Sequence, residues 1–358
     1  MAKMPIRAKM PDNGRCYNGA VAKFVIFGAG AWGTAMALHL ASLGHAVNLV
    51  ARDSRWAVAV EEARENFAYL PGLKFPDNLH VDGDFSNVNS ADCAFLACPT
   101  AGVVEFCNKI GAAASNSAKL PPLITLCKGF VPETHQLPLQ TVKKILPTFS
   151  CGTLSGPTYA RDVALGHPTA AVLAASVDKT ELKRLQAMIN GPKFRIYRTD
   201  DVLGVELGGS LKNPYAIGIG IAERFVGSEN GRAALFTRTM AELVRIGVAL
   251  GGKAKTFYGL SGLGDLVATG NGDWSRNRTF GLRIGAGENP REIIAAEKTT
   301  VEGYRATDGF HSICADIGVR CPILNGIWRI LYGDAPAAEI GNSLMCGELR
   351  EECDDYPG

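Results

Sequence analysis

The stretch "GAGAWGTA" puts glycines at positions 28, 30 and 33, directly behind the apolar run "FVIF" and at the head of a helical pattern. Each glycine has a distinct use in that context. Gly28 lets the chain leave a strand in a tight turn, Gly30 removes a side chain so that backbone can approach a pyrophosphate, and Gly33 lets the helix pack closely on the strand. The helix N-terminus then offers free N–H groups and a partial positive charge. The chemistry implied is dinucleotide binding. The next strand, "AVNLV", ends in "ARD", which brings Arg52 and Asp53 to the place where an adenosine ribose would rest. An acid there binds the ribose of NAD, whereas an arginine accommodates the extra phosphate of NADP. In an extended chain the two side chains point opposite ways. No acid precedes Arg52 on the strand, so NADPH is expected to be used at least as well as NADH.

These groups need a scaffold that presents strand ends and helix starts together. Short apolar runs recur at "FVIFG", "AVNLV", "CAFLAC", "PLITLC", "CGTLSG", "TAAVLAA" and "KFRIYR". Helical stretches separate them, among them Ala31 to Leu43, Ala101 to Ala114 and Lys179 to Ile189. Strands alternating with helices predict an α/β, Rossmann-like unit with a mostly parallel sheet. The pattern changes near Asp200. From Val202 onward the periodicity is helical, beginning with one continuous helix through "DDVLGVELGGSLKNPYAIGIGIAERF". The expected organisation is a tail over residues 1–22, a dinucleotide-binding domain over 23–200 and an all-α domain over 201–358, with the site in the cleft between the two domains.

Composition narrows the classes. The 358 residues are 47% hydrophobic and 20% charged with a formal net charge of +2, the balance of a globular protein. No basic block suggests nucleic acid, and no apolar run reaches the roughly 18 residues a membrane helix needs. The ten cysteines form no C-x-x-C pair and lie mostly in apolar runs, so they read as reduced thiols packed as small hydrophobes in a cytoplasmic protein. No metal-ligand spacing is present. The first 22 residues are basic but carry no apolar core for a secretory signal, and are expected to be a tail.

Seven motifs occur in one order: "GAGAWGTA", "CKG" at 127–129, "SGPTYA" at 155–160, "GVELGGSLKN" at 204–213, "GLSGLGDL" at 259–266, "SRNRTFG" at 275–281 and "VEGY" at 301–304. Together they resemble the NAD(P)-dependent glycerol-3-phosphate dehydrogenases of the bacterial type, over roughly Lys23 to Leu344. The resemblance implies reversible reduction of dihydroxyacetone phosphate to sn-glycerol 3-phosphate by NAD(P)H in a cytoplasmic homodimer. It implies Lys212 as the catalytic proton donor and acceptor, with Lys128 and Asp265 beside it. It implies substrate contacts at Lys128, Gly156, Thr158, Lys212, Asn213, Asp265, Ser275, Arg276 and Asn277. Cofactor contacts are implied at Gly28, Ala29, Gly30, Ala31, Trp32, Gly33, Arg52, Lys128, Ala160, Arg276, Thr300 and Glu302.

The residue types suit that substrate. A phosphate dianion calls for a cation that can grip two oxygens, which Arg276 supplies, and Asn277 adds a neutral donor. Reduction puts negative charge on the carbonyl oxygen, and a lysine ammonium stabilises it and then delivers the proton. Burial and a second cation, Lys128, are expected to lower the pKa of Lys212. The chemistry needs no metal. The chain departs from the family pattern at Cys127, where Thr is usual, and at Pro214, which bears on the geometry just after Lys212. Two other readings stand beside this one: a two-domain dehydrogenase of another hydroxy acid, and a dinucleotide-binding redox sensor without turnover.

Overall fold

A computed structural model describes residues 21–115, 119–132, 136–296, 301–349 and 351–352. Residues 1–20 of the expected tail, and Thr300, lie outside the described residues.

The first half alternates strands and helices: β1 (Lys23–Phe27), α1 (Ala31–Ser42), β2 (Ala46–Val50), α2 (Ser54–Ala63), β3 (Leu79–Asp82), β4 (Cys93–Leu96), α3 (Val103–Ala113), β5 (Leu123–Thr125), α4 (Pro138–Ile145), β6 (Cys151–Ser155), α5 (Ala160–Ala164), β7 (Thr169–Ala175), α6 (Lys179–Ile189) and β8 (Phe194–Thr199). They form one eight-stranded sheet in the order β3-β2-β1-β4-β5-β6-β7-β8. The order on its first six strands is that of a doubly wound dinucleotide fold. Every pair is parallel except β6 with β7. The exception follows from the connection. After β6 the chain carries only the five-residue α5 instead of a full crossover helix, so the next strand returns in the opposite direction. The strand β3, "LHVD", was not expected. It pairs only with β2, and its inward Leu79 and Val81 alternate with outward His80, too short a signal to read as a strand alone.

The second half is helical: α7 (Val202–Val226), α8 (Glu229–Ala249), α9 (Ala254–Phe257), a π-turn at Leu260–Gly264, α10 (Asp265–Asn271), α11 (Arg276–Gly285), α12 (Pro290–Ala296), α13 (Glu302–Asp316), α14 (Pro322–Tyr332) and α15 (Ala337–Met345). Local chemistry marks several starts: the side chains of Asp53, Asp178, Asp201, Ser228 and Ser275 each accept a first-turn N–H. Two apolar cores cover the two faces of the sheet, one against α1 and α6 and the other against α3 and α4. A third lies among α7, α8, α11, α13 and α14. Cys93, Cys98, Cys107, Cys127, Cys151, Cys314 and Cys321 are free thiols buried within these cores, whereas Cys346 is exposed. Among the described residues no helix is long and apolar enough to cross a membrane.

Helix α7 is the spine that joins the halves. It runs unbroken through Pro214, although that residue cannot donate to the carbonyl one turn earlier. Its glycines decide what comes near. A Cβ on Gly208 would meet the backbone of Ser261 at 3.0 Å, and one on Gly209 would meet Ser155 Oγ at 2.4 Å. The spine therefore touches the end of β6 and the π-turn at one level. On its other side the backbone at Ile217 approaches α11 so closely that a Cβ on Gly281 would lie 2.1 Å from that carbonyl oxygen.

Candidate active site

The described site residues that the sequence singled out lie at the C-terminal ends of β1, β2, β5 and β6 and on the helices α7, α10, α11 and α13. Lys128 follows β5, Gly156 follows β6, Lys212 stands midway along α7, and Asp265 opens α10. The structure brings these together. Asp265 Oδ1 lies 3.0 Å from Lys212 Nζ, and Oδ2 lies 2.5 Å from Lys128 Nζ. Lys128 also donates to the Gly156 carbonyl at 2.9 Å, which accepts from Thr158 Oγ1 at 3.1 Å. Lys212 and Asp265 are buried. Asp265 is the first residue of α10 and does not cap it; the cap position is Gly264.

The electrostatics follow from burial. Desolvation drives the Lys212 ammonium down to about 8; Asp265 opposes the shift, and Lys128 adds to it. That is the direction expected from burial and a second cation. Burial by itself would push the Asp265 carboxyl up, but the two ammonium groups outweigh it and hold it below its ordinary range. The carboxylate is thus an anion shared by two cations, in a place where all three are largely out of water.

Sequence reasoning missed Thr269. Its hydroxyl accepts from Lys212 Nζ at 2.6 Å and donates to Asp265 Oδ1 at 3.2 Å. The signal lay in the spacing: Thr269 is one helical turn beyond Asp265 and so on the same face. Lys212 Nζ is thereby held by two oxygens, which leaves its third donor for a substrate.

The other expected substrate residues divide. Asn213 and Asn277 are buried side by side; Asn277 Nδ2 donates to Asn213 Oδ1 at 2.9 Å and its Oδ1 accepts from Gly303 N at 3.0 Å. Asn213 in turn donates weakly to the Lys128 carbonyl, at 3.4 Å. Ser275 is buried and caps α11, its hydroxyl accepting from Arg278 N. Arg276, the first residue of α11, is exposed. Its charge reaches both Lys212 and Glu302.

At the glycine motif the backbone shows the tight turn and the close helix packing that the spacing implies. Gly28 has φ +119°, and a Cβ there would lie 2.7 Å from Ala97 O; a Cβ on Gly33 would lie 2.0 Å from Gly28 O. At Gly30 the Cβ direction meets nothing within 4 Å. The open space stands at the N-terminus of α1, whose first turn carries no acid. A cradle of this form fits a pyrophosphate. Ala29 and Ala31 flank Gly30. Trp32 is half-buried edge-on to Phe194, with its Nε1 buried and unpartnered. Ala160 opens α5, the helix packed on α1. Asp53 is committed to capping α2, accepting from Arg55 N and Trp56 N. Arg52 remains two-thirds exposed, with a long 3.8 Å pairing to Glu105. From the helical side, Glu302 reaches back to the loop after β4, where it accepts from Thr100 N at 3.2 Å and Thr100 Oγ1 at 2.6 Å. Thr100 is a second residue that the sequence reading did not single out. Among the described residues no group of three or more His, Cys, Asp or Glu side chains could hold a metal ion.

The profile described as "NAD-dependent glycerol-3-phosphate dehydrogenase N-terminus" matches residues 23–181, and the corresponding C-terminal profile matches residues 201–342. The chain belongs to the NAD-dependent glycerol-3-phosphate dehydrogenase family. Within this family, the glycerol-3-phosphate dehydrogenase [NAD(P)+] of Thiobacillus denitrificans is 42% identical over 332 residues, covering 92% of this chain and 99% of that one. The crystal structure of glycerol-3-phosphate dehydrogenase from Coxiella burnetii superposes with a TM-score of 0.84 at 32% identity, over 91% of this chain and 99% of that one. A ketopantoate reductase from Ralstonia eutropha, at 16% identity over 90% of this chain and 99% of that one, shares the fold alone, with a TM-score of 0.55.

Proposed function

We propose that this chain catalyses the reversible reduction of dihydroxyacetone phosphate to sn-glycerol 3-phosphate with NADPH or NADH, and that Lys212 is the proton donor and acceptor. The observation that carries the reading is the buried Lys212–Asp265–Lys128 arrangement, whose Lys128 follows β5 at the same strand-end edge of the sheet as the glycine cradle after β1. It supports ketone reduction because it supplies a protonated amine near neutral pH in a site shielded from water.

The reduced dinucleotide, when bound, supplies a hydride to the carbonyl carbon. As the C=O bond electrons move onto oxygen, the Lys212 ammonium stabilises the developing charge and transfers its proton, leaving a hydroxyl on the product and a neutral amine on Lys212. Thr269 and Asp265 hold that amine in place. Lys128 presents a second cation to the same carbonyl region. Arg276 grips the substrate phosphate bidentately, at the exposed mouth of the site, with Asn277 and Ser275 shaping the first turn of α11 beneath it. In the oxidative direction neutral Lys212 takes the hydroxyl proton.

In this reading residues 23–200 form the dinucleotide-binding domain and residues 201–358 the substrate-binding domain. Gly28 to Gly33, Arg52, Lys128, Ala160, Arg276, Thr300 and Glu302 serve the cofactor. The protein acts as a cytoplasmic homodimer.

The test is steady-state oxidation of NADPH and NADH by dihydroxyacetone phosphate, with Lys212→Ala as the control. The wild type turns over, and the variant loses about two to four orders of magnitude in kcat, the usual worth of a positioned proton donor. A variant within about threefold of wild type would sink the assignment of Lys212. A wild type inactive with both cofactors would sink the reaction itself.

A further inference from the structure

We propose that Asn66 is the positioning residue that holds the pyrophosphate cradle in its binding shape. The proposal rests on the dinucleotide reading above and adds to it a residue outside the glycine motif.

Asn66 is fully buried in the segment between α2 and β3. Its side-chain amide donates to Ala29 O at 2.9 Å and to Thr34 Oγ1 at 2.8 Å. Its Oδ1 accepts from Tyr69 N at 3.3 Å. A carboxamide has two N–H donors, and both are spent here. Ala29 is the residue between Gly28 and Gly30, and Thr34 directly follows Gly33. One side chain therefore ties both ends of the stretch that would enclose the phosphates.

The glycines cannot do this themselves. Their freedom lets the turn form, at φ +119° for Gly28, but the same freedom leaves the turn loose. No side chain on Gly28, Gly30 or Gly33 can lock it. The Ala29 carbonyl is the hazard: turned toward the cradle, its oxygen would face phosphate oxygens of the same sign. The bond from Asn66 turns it inward. The bond to Thr34 fixes the first turn of α1 against the same amide, so the N–H groups of that turn keep their direction. Preorganising a loop in this way raises affinity by removing ordering cost at binding. Asparagine suits the role because aspartate has no donor to offer either oxygen.

The experiment is calorimetric binding of ADP-ribose, which carries the pyrophosphate without the reacting ring, together with steady-state kinetics. Asn66→Asp keeps the shape but loses both N–H groups and faces Ala29 O with a charge. The expected result is ADP-ribose binding weakened tenfold or more and KM for NADPH raised by a similar factor. At saturating NADPH, kcat and KM for dihydroxyacetone phosphate stay within threefold of wild type. Thr34→Val removes one acceptor and weakens ADP-ribose by threefold or more, and Thr34→Ser, which keeps the hydroxyl, restores it; this pair decides the matter if Asn66→Asp does not fold. ADP-ribose binding within threefold of wild type in Asn66→Asp overturns the proposal. So does an equal loss in kcat and in both KM values, which marks general damage to the fold. A wild type that turns over while failing to bind ADP-ribose also overturns it. A wild type that neither turns over nor binds ADP-ribose overturns the dinucleotide reading beneath it.

Discussion

Lys212 Nζ sits 3.0 Å from Asp265 Oδ1, and the other oxygen of that carboxylate is held by Lys128. Without Asp265, two ammonium groups would share a buried pocket with nothing between them. Asp265→Asn is therefore expected to depress the Lys212 pKa further and to cut kcat/KM for dihydroxyacetone phosphate by about a hundredfold or more at pH 7. The pH at which the variant loses half its reductive activity falls below that of wild type. A pH–rate series on both proteins checks this, and an unmoved alkaline limb would separate Asp265 from Lys212.

With Lys212 as the proposed proton carrier, the two directions of the reaction are expected to respond oppositely to pH. Burial holds Lys212 down to about 8. Ketone reduction needs the ammonium, so kcat/KM for dihydroxyacetone phosphate is full below that value and declines as pH rises through it. Oxidation of sn-glycerol 3-phosphate needs the neutral amine, so its rate rises across the same range. Profiles of both directions from pH 6 to pH 10 test the sign. Parallel limbs in both directions would assign the proton transfer to another group.

In the proposed function, Arg52 is the residue expected to set cofactor choice. Its guanidinium is free to approach a 2′-phosphate, whereas the Asp53 carboxylate is occupied at the head of α2. Arg52→Ala is expected to lower kcat/KM for NADPH by tenfold or more, about 1.4 kcal/mol, and to change the NADH value little. Equal losses with both cofactors would give Arg52 a role in the adenine contact or in folding. A wild type that ignores NADPH would return the ribose to Asp53.

Arg276 is exposed at the N-terminus of α11, and its charge acts on both Lys212 and Glu302. Arg276→Ala is expected to raise KM for dihydroxyacetone phosphate by tenfold or more, since a charge-assisted hydrogen bond contributes about 1.5–3 kcal/mol. The discriminating measurement uses unphosphorylated dihydroxyacetone. It is a far poorer substrate of the wild type, and the variant handles it no worse. An unchanged KM for the phosphorylated ketone would place the phosphate elsewhere.

Much of the architecture was legible because it is written in local patterns. The apolar runs of β1, β2 and β4 to β8, and the unbroken periodicity of α7, follow from side chains that neighbours along the chain already determine. The cradle was legible for a related reason: the demand for glycine at positions 28, 30 and 33 arises within a few residues. Other features depended on distant partners. The edge strand β3 becomes a strand only by pairing with β2, and β7 reverses because its connection lacks a crossover helix. Asp53 looked free for a ribose until α2 started behind it. Ser275 was expected as a substrate contact, and the fold adds a second use for its hydroxyl, which caps α11 by accepting from Arg278 N.

The sequence by itself determined which residue types were available for the chemistry: a glycine cradle, two lysines, an aspartate and an arginine in a recognisable order. Only the tertiary structure decided that Lys128, Lys212 and Asp265 meet. That meeting depends on Gly208 and Gly209, whose missing side chains let α7 lie against β6 and the π-turn at once. It also decided that Thr269 supplies the lysine's second hydrogen-bond partner, that Thr100 holds Glu302 from the far half of the chain, and that Asn66 ties Ala29 to Thr34. Each is a short side chain acting at close range on a residue remote in sequence. Hydrophobic periodicity carries no trace of such contacts, because they are set by how closely backbones approach rather than by which face of an element is apolar.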